Sequence, residues 1–338
     1  MGKTSVPPKA GVEQLIAQLK AEPVNTWFDL GLFIDRVREN RKIPAAELSV
    51  TFDGFKKRLA KGGIAFISFL FAVDGVTVEA EKYAKALRNI LFSPTHHSPL
   101  TTHKIHYIAG EILPEADRFI DPSIRQHIIK EISGFDKWNL YNDFFFTKLQ
   151  RGSKQYNKLI SKFWKEVLLI TEKLGKVIEK NNIQLLYLIN VCSNPGNVSL
   201  ALSVALISEY LGIPVINNNH DFYWEGGNRK EDIINKGLKP GPRDFFFAND
   251  HLGEFFSQIE VLYPWESRSW MTVNINKNQT NHVIEHSGHN PANVCEIGTA
   301  VDTKIFTTIT KRNKIKAFQQ VQAILSSSSS GSGSRRSS

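Results

Sequence analysis

The sequence predicts an α/β protein: a Rossmann-like, doubly wound parallel sheet preceded by a helical N-terminal extension. Apolar runs of strand length, such as Ile64-Ala65-Phe66-Ile67-Ser68-Phe69-Leu70-Phe71, alternate with stretches of helical periodicity. Near the middle, strand, loop, helix and strand occupy about thirty residues, the length of one crossover unit. The run Val215-Ile216-Asn217-Asn218-Asn219-His220-Asp221 then passes abruptly from apolar to polar. A buried parallel strand does this where it reaches the carboxyl edge of an open sheet, and ligands gather beyond that edge.

The elements follow in order. Residues 11 to 60 carry helical periodicity in two pieces, Val12, Leu15, Ile16, Leu19 and then Trp27, Leu30, Leu32, Phe33, Val37. Gly62-Gly63 releases the chain into the Ile64 strand, Asp74-Gly75 turns it, and a helix is predicted from Val78 to Leu91. A loop holding His96, His97 and His103 precedes a strand from Lys104 to Gly110. Residues 123 to 150 read as helical pieces with an aromatic cluster from Phe135 to Phe146, expected in the core or at an inter-domain contact, and Trp164 to Ile178 as a helix. The strand Ile183 to Asn190 ends in the loop Cys192 to Asn197. Val198 to Leu211 forms the next helix, closed by Gly212 before the Ile213 strand. Further strands are predicted at 243–249, 270–276 and 293–298, and a basic helix from Lys311 to Leu325. Ser326 to Ser338 is a Ser/Gly/Arg run that cannot bury a core and is expected to be flexible. The expected organisation is therefore an extension at 1–60, a Rossmann-like domain at 61–303, a basic linker at 304–325 and a tail at 326–338.

Composition narrows the function. The 338 residues are 41% hydrophobic and 22% charged, which is ordinary for a globular protein. The net charge of +9 is concentrated at one end: Val301 to Ser338 carries +6, leaving +3 for the first 300 residues. A basic tail of this kind does not point to specific nucleic-acid recognition. No apolar run reaches the roughly 18 to 20 residues that cross a bilayer, and the N-terminus lacks a signal-peptide apolar core, so the cytoplasm is the expected compartment. Cys192 and Cys295 lie far apart without metal-ligand spacing and are expected to be inert packing residues. No metal is expected at the adjacent His96-His97, which point apart. His282 and His286 are four apart, but Ser287-Gly288 and Asn290-Pro291 predict a loop there.

Several segments in register resemble one family: the Ile64 strand with its glycine turn, the Ile189-Asn190 strand end, Gly212-Ile213-Pro214-Val215 leading to His220-Asp221, Thr272-Val273-Asn274, and Ile297-Gly298-Thr299-Ala300-Val301-Asp302-Thr303-Lys304-Ile305-Phe306. Together, over roughly residues 62 to 325, they look like the amino-terminal half of a retaining glycosyltransferase of GT-B architecture, family 4 type. In that family the last segment reads approximately Ile-Pro-Asn-Gly-Val-Asp-x-x-x-Phe. The resemblance implies an acceptor side in this half and a nucleotide-sugar site, with an Arg, a Lys and two Glu seven positions apart, in a second domain. Only thirteen low-complexity residues follow Leu325. The expectation is thus an acceptor-binding half, transferring a hexose to a small polar or glycosidic acceptor only when a partner domain or chain supplies the donor site. No cofactor is expected beyond the nucleotide sugar as co-substrate. The competing expectation is a non-catalytic binding or regulatory module built on the same sheet.

The candidate site residues follow from placement and from the resemblance. The family places a histidine like His220 against the transferred sugar; the plain alternative is a strand-end histidine bonding backbone. Asp221 is expected either to orient that ring or to start a turn. Gly75 stands where the family's loop meets donor phosphates through backbone N–H groups at a helix N-terminus, although Asp74-Gly75-Val76-Thr77 lacks the family's paired glycines; a tight turn is the alternative. Trp224, Glu225 and Arg229 offer a stacking ring, an acceptor and a cation suited to a sugar or an acidic group, or form a surface loop. Asn190 and Ser193 are candidates for acceptor hydroxyls, or for ordinary loop capping.

Overall fold

Gly63–Phe71 forms the first strand, β1, and is buried along nearly its whole length because both faces are covered. The computed structural model describes residues 11–24, 27–40, 53–54, 59, 62–91, 104–145, 147, 149–150, 152–225, 261–299, 315–316 and 318–319. The other strands are β2 (Ile105–Ile112), β3 (Arg125–Ile128), β4 (Ile183–Ile189), β5 (Val215–Asn219), β6 (Trp270–Asn274) and β7 (Val294–Glu296). All seven are parallel, in the order β3-β2-β1-β4-β5-β6-β7. The chain builds outward from β1 to β3, returns to the other side of β1 with β4, and continues outward. β1 and β4 are therefore the adjacent strands at which the winding reverses.

Seven α-helices are described: α1 (Val12–Ala21), α2 (Trp27–Asn40), α3 (Gly75–Leu91), α4 (Tyr141–Phe145), α5 (Lys154–Lys180), α6 (Val198–Leu211) and α7 (Lys277–Glu285). Alternation along the strands sends odd and even residues of β1 into different cores. Ala65, Ile67 and Phe69 pack with α1, α2, α5 and α6; Ile64 and Phe66 pack with Ala80 and Ala84 of α3 and with Tyr107 and Tyr187. α6 is apolar all round and almost wholly buried, as expected of a helix held between a sheet and other helices.

The N-terminal extension is part of this core, since Leu15, Leu19, Leu30 and Phe33 belong to the same buried cluster as α5 and α6. Gly175 of α5 permits the contact with α1: a Cβ there would lie 2.5 Å from Val12 Cγ2.

Local chemistry sets the helix starts. Asn197 Oδ1 accepts the Leu200 N–H at 2.9 Å, Asn276 Oδ1 the Gln279 N–H at 2.9 Å, and Asp74 Oδ1 the Thr77 N–H at 2.8 Å. Gly212 takes φ 64° and closes α6.

Three expectations need correction. β3 lies within the stretch read as helical; it is only four residues long, mostly exposed and at the sheet edge, too short to show a period. α5 starts ten residues before Trp164, at the Ser153 cap, because its first turns carry Lys and Asn on their solvent side and dilute the apolar repeat. His282 lies inside α7 and His286 caps it, so the breakers Ser287-Gly288 end that helix rather than prevent it.

The expected strand at 243–249, His96, His97, His103, Arg229 and the tail lie outside the described residues. Contacts divide the chain into Met1–Gly298 and Thr299–Ser338. In the second unit Ile315, Lys316, Phe318 and Gln319 are helical and exposed.

Candidate functional site

β1 and β4 separate at their carboxyl ends, and a cleft of about 370 Å³ opens there. This is where ligands settle in doubly wound sheets, and the volume falls within the about 300–1,000 Å³ usual for small-molecule sites. One wall is the end of β1, with Ser68, Phe69 and Leu70, followed by Asp74 and Val76 at the start of α3. The second is Glu111 of β2 and the turn Ser133-Gly134-Phe135-Asp136-Lys137; the third is Ile189, Asn190, Asn194 and Asp221 beyond β4 and β5.

The turn from 133 to 137 is held across the strand ends by specific bonds. Asn197 Nδ2 donates to the carbonyls of Glu131 and Ser133, each at 2.9 Å, and the Phe135 N–H donates to the Gly196 carbonyl at 2.8 Å. Phe135 is held at φ 57°, a left-handed conformation that a bulky side chain rarely adopts. Gly134 is required by contact, because a Cβ there would lie 2.6 Å from the Phe69 ring. The Phe69 and Phe135 rings meet edge to face, 5.6 Å between centroids.

The charge of the cleft is one-sided. Asp74, Glu111, Asp136 and Asp221 face one cation, Lys137, which is already paired with Glu111. Four carboxylates against one ammonium leave −3.

Asn190 and Ser193 take their loop-capping alternative. Asn190, at φ 58°, accepts the N–H groups of His220 at 2.7 Å and Asp221 at 3.2 Å through Oδ1, and Ser193 Oγ donates to the same atom at 3.4 Å. Ser193 is wholly buried. Asp221 lines the cleft, and its carboxylate accepts from Asn190 Nδ2 at 3.5 Å.

His220 stands beside the cleft rather than in its wall. Its Nε2 lies 3.4 Å from Asn218 Nδ2, and its carbonyl accepts from Gln279 Nε2 at 3.0 Å. Burial lowers the imidazole pKa from 6.5, against an upward pull from the carboxylates of Glu79 and Asp221, so the ring is neutral near neutrality.

Trp224 is engaged on both faces. It stacks on Phe222 at 4.0 Å and on His282 at 4.1 Å, both nearly parallel, and two rings so close to one centroid cannot share a side. The expected sugar platform is therefore used in packing the loop against α7. Glu225 Oε2 accepts from Phe222 N–H at 3.0 Å and from Gln279 Nε2 at 2.6 Å, closing that loop.

Gly75 opens α3 with open space over its Cα and without a left-handed φ, so neither turn geometry nor close packing demands glycine there. Among the described residues no group of three or more His, Cys, Asp or Glu is arranged to hold a metal ion. No described helix is long and apolar enough to cross a membrane. Cys192 is buried in the core, its thiol pKa pushed far up by burial.

The sequence reading missed Ser68, Asp74, Glu111, Asn194 and the turn from 133 to 137. Asp74 carried a usable signal, a carboxylate just beyond an apolar strand, and Glu111 another, a carboxylate in the last residues of β2. The turn carried none, since it reaches the site through a fold-back that only the sheet order defines. Compared with known proteins, the chain matches no family model and no curated protein.

Proposed function

We propose that this chain is the acceptor side of a glycosyltransferase, binding a small polyhydroxylated acceptor at the β1/β4 cleft while a donor site for the nucleotide sugar is supplied by another domain or chain. The reading is carried by the composition of that cleft. Hydroxyl, amide and carboxylate groups surround two phenyl rings, the combination that bonds sugar hydroxyls while covering an apolar ring face. The same lining disfavours donor phosphates: its single cation is paired, and Asp74 already caps the N-terminus of α3. A donor diphosphate bound elsewhere fits this division. In this reading His220, which stands next to the cleft, is the residue that contacts the transferred sugar.

The test has two arms. The chain alone is incubated with uridine and guanosine diphosphate hexoses labelled in the sugar, together with mono- and disaccharide acceptors, and little or no labelled product is expected, because the donor site is supplied from elsewhere. Calorimetric titration in parallel is expected to show saccharide binding and weak or no binding of the nucleotide sugars. Tight nucleotide-sugar binding by this chain, or transfer with inversion, refutes the assignment.

A further inference from the structure

His282 and His286 fall where the sequence predicts a loop, yet His282 lies inside α7 and His286 caps it, and the His286 N–H donates to the His282 carbonyl at 2.8 Å. Residues four apart joined by that bond share one face of a helix. The two imidazole rings accordingly stand 4.8 Å apart between centroids, at 44° to one another. An ion bound by two imidazoles lies about 2.0–2.1 Å from each nitrogen, which puts the ring centres roughly 4.5–5.2 Å apart when the angle at the metal is between square and tetrahedral. The observed separation falls inside that range with no rearrangement of the helix.

The ring nitrogens are available. Neither ring makes a hydrogen bond or an ion pair among the described residues, and none of the four nitrogens is buried. Trp224 stacks on the His282 ring at 4.1 Å and 21°, which holds the ring by its face and leaves the nitrogens on its edge. Partners that orient an imidazole without occupying its ligating atom are a regular part of metal sites. Burial, then His286, lower the His282 pKa from 6.5 against an upward pull from the Glu225 carboxylate, so that ring is in its neutral, ligating form near neutrality. Two protein ligands are fewer than the three or four of catalytic and structural zinc sites, so the remaining positions fall to water or to a ligand from solution.

We infer that His282 and His286 hold one late first-row divalent metal ion at the end of α7, Cu²⁺ most tightly and Ni²⁺ and Zn²⁺ less so. Imidazole suits these ions, whereas Mg²⁺ takes oxygen ligands. The site does not depend on what occupies the β1/β4 cleft. It bears on the loop beyond β5, because Trp224 packs that loop against His282 and Gln279 of the same helix bonds the His220 carbonyl. A metal ion here fixes the ring on which that loop rests.

The experiment is calorimetric titration of the full chain with Cu²⁺, Ni²⁺, Zn²⁺ and Mg²⁺, together with electron paramagnetic resonance of the one-to-one Cu²⁺ complex. Cu²⁺ is expected to bind most tightly and Mg²⁺ not measurably, and the Cu²⁺ spectrum is expected to carry two imidazole nitrogens. His282→Ala and His286→Ala are each expected to weaken Cu²⁺ binding by at least about tenfold, the lower end of what losing even an orienting partner of a metal ligand costs. His286 is exposed, so its variant keeps the fold. The chain holds ten histidines and six tryptophans, and Trp224 reports which site is filled. Cu²⁺ bound beside it quenches its fluorescence, and Trp224→Leu is expected to remove most of the quenching while the Cu²⁺ complex still forms.

Unchanged Cu²⁺ affinity in either histidine variant overturns the inference. So does a spectrum of the unmodified chain with one imidazole nitrogen or none, or quenching that survives Trp224→Leu.

Discussion

The side-chain oxygen of Asn190 accepts the backbone N–H of His220 at 2.7 Å, tying the end of β4 to the end of β5 beside the cleft. Asn190 itself sits at φ 58°, where asparagine is tolerated better than most residues. Asn190→Ala removes the acceptor of two backbone donors and adds backbone strain, with an expected loss of about 2–4 kcal/mol. Asn190→Gly relieves the strain alone and is expected to recover part of that loss. Urea denaturation midpoints of the two variants check the order; equal losses would mean that the strain contributes nothing.

The His106 and His127 rings on β2 and β3 are stacked, with Nδ1 of the first 3.0 Å from Nε2 of the second. His106 is 2% exposed, and burial first, then His127 and Arg125, lower its pKa from 6.5 to about 4; burial also lowers that of His127. The unfolded chain therefore binds more protons between these values. Stability is expected to be complete above about pH 6.5 and to fall as the pH drops toward 4, by on the order of 1–3 kcal/mol. His106→Gln should flatten this slope. Thermal unfolding between pH 4 and 7.5 measures it, and an unchanged slope in the variant would assign the loss to other groups.

Gly175→Ala forces a methyl group against Val12. The expected destabilisation is about 1–3 kcal/mol, the usual effect of overpacking. Val12→Ala in the same chain should return part of it. A double-mutant cycle by chemical denaturation reads the coupling, and strict additivity would show that α1 does not dock there as described.

Trp224→Leu removes the ring stacked between Phe222 and His282. Stability is expected to fall by about 1–3 kcal/mol, with the affinity of the cleft for saccharides changed less than twofold. If sugar binding vanished while the fold stayed intact, Trp224 would return to the site as a ligand contact.

Much of the fold was legible because burial leaves a local trace. β1 and β4 are apolar runs at the centre of the sheet, β5 shows its carboxyl edge by the switch from Val215-Ile216 to three asparagines, and Asn197 and Gly212 mark the two ends of α6 by their own cap chemistry. β3 was not legible, since a short edge strand buries little and its pairing partner β2 supplies the order. In the site, His220 and Asp221 were correctly placed at the carboxyl edge, and Asp221 does line the cleft. The roles assigned to Asn190, Ser193, Trp224 and Glu225 depend on which partner each group meets, and those partners lie 30 or more positions away in several of their bonds.

What the residues determined on their own was the class of fold and the edge of the sheet where a ligand would sit, because period, cap and strand-end polarity are properties of neighbours along the chain. Which side chains face that ligand was decided only by the tertiary structure. The return of the chain from β3 to β4 brings Ser68, Glu111, Asp136 and Asn194 to one cleft, and it turns Trp224 away into a stack with a helix more than fifty positions on. Distance in sequence carries no charge or shape; the sheet order converts it into contact.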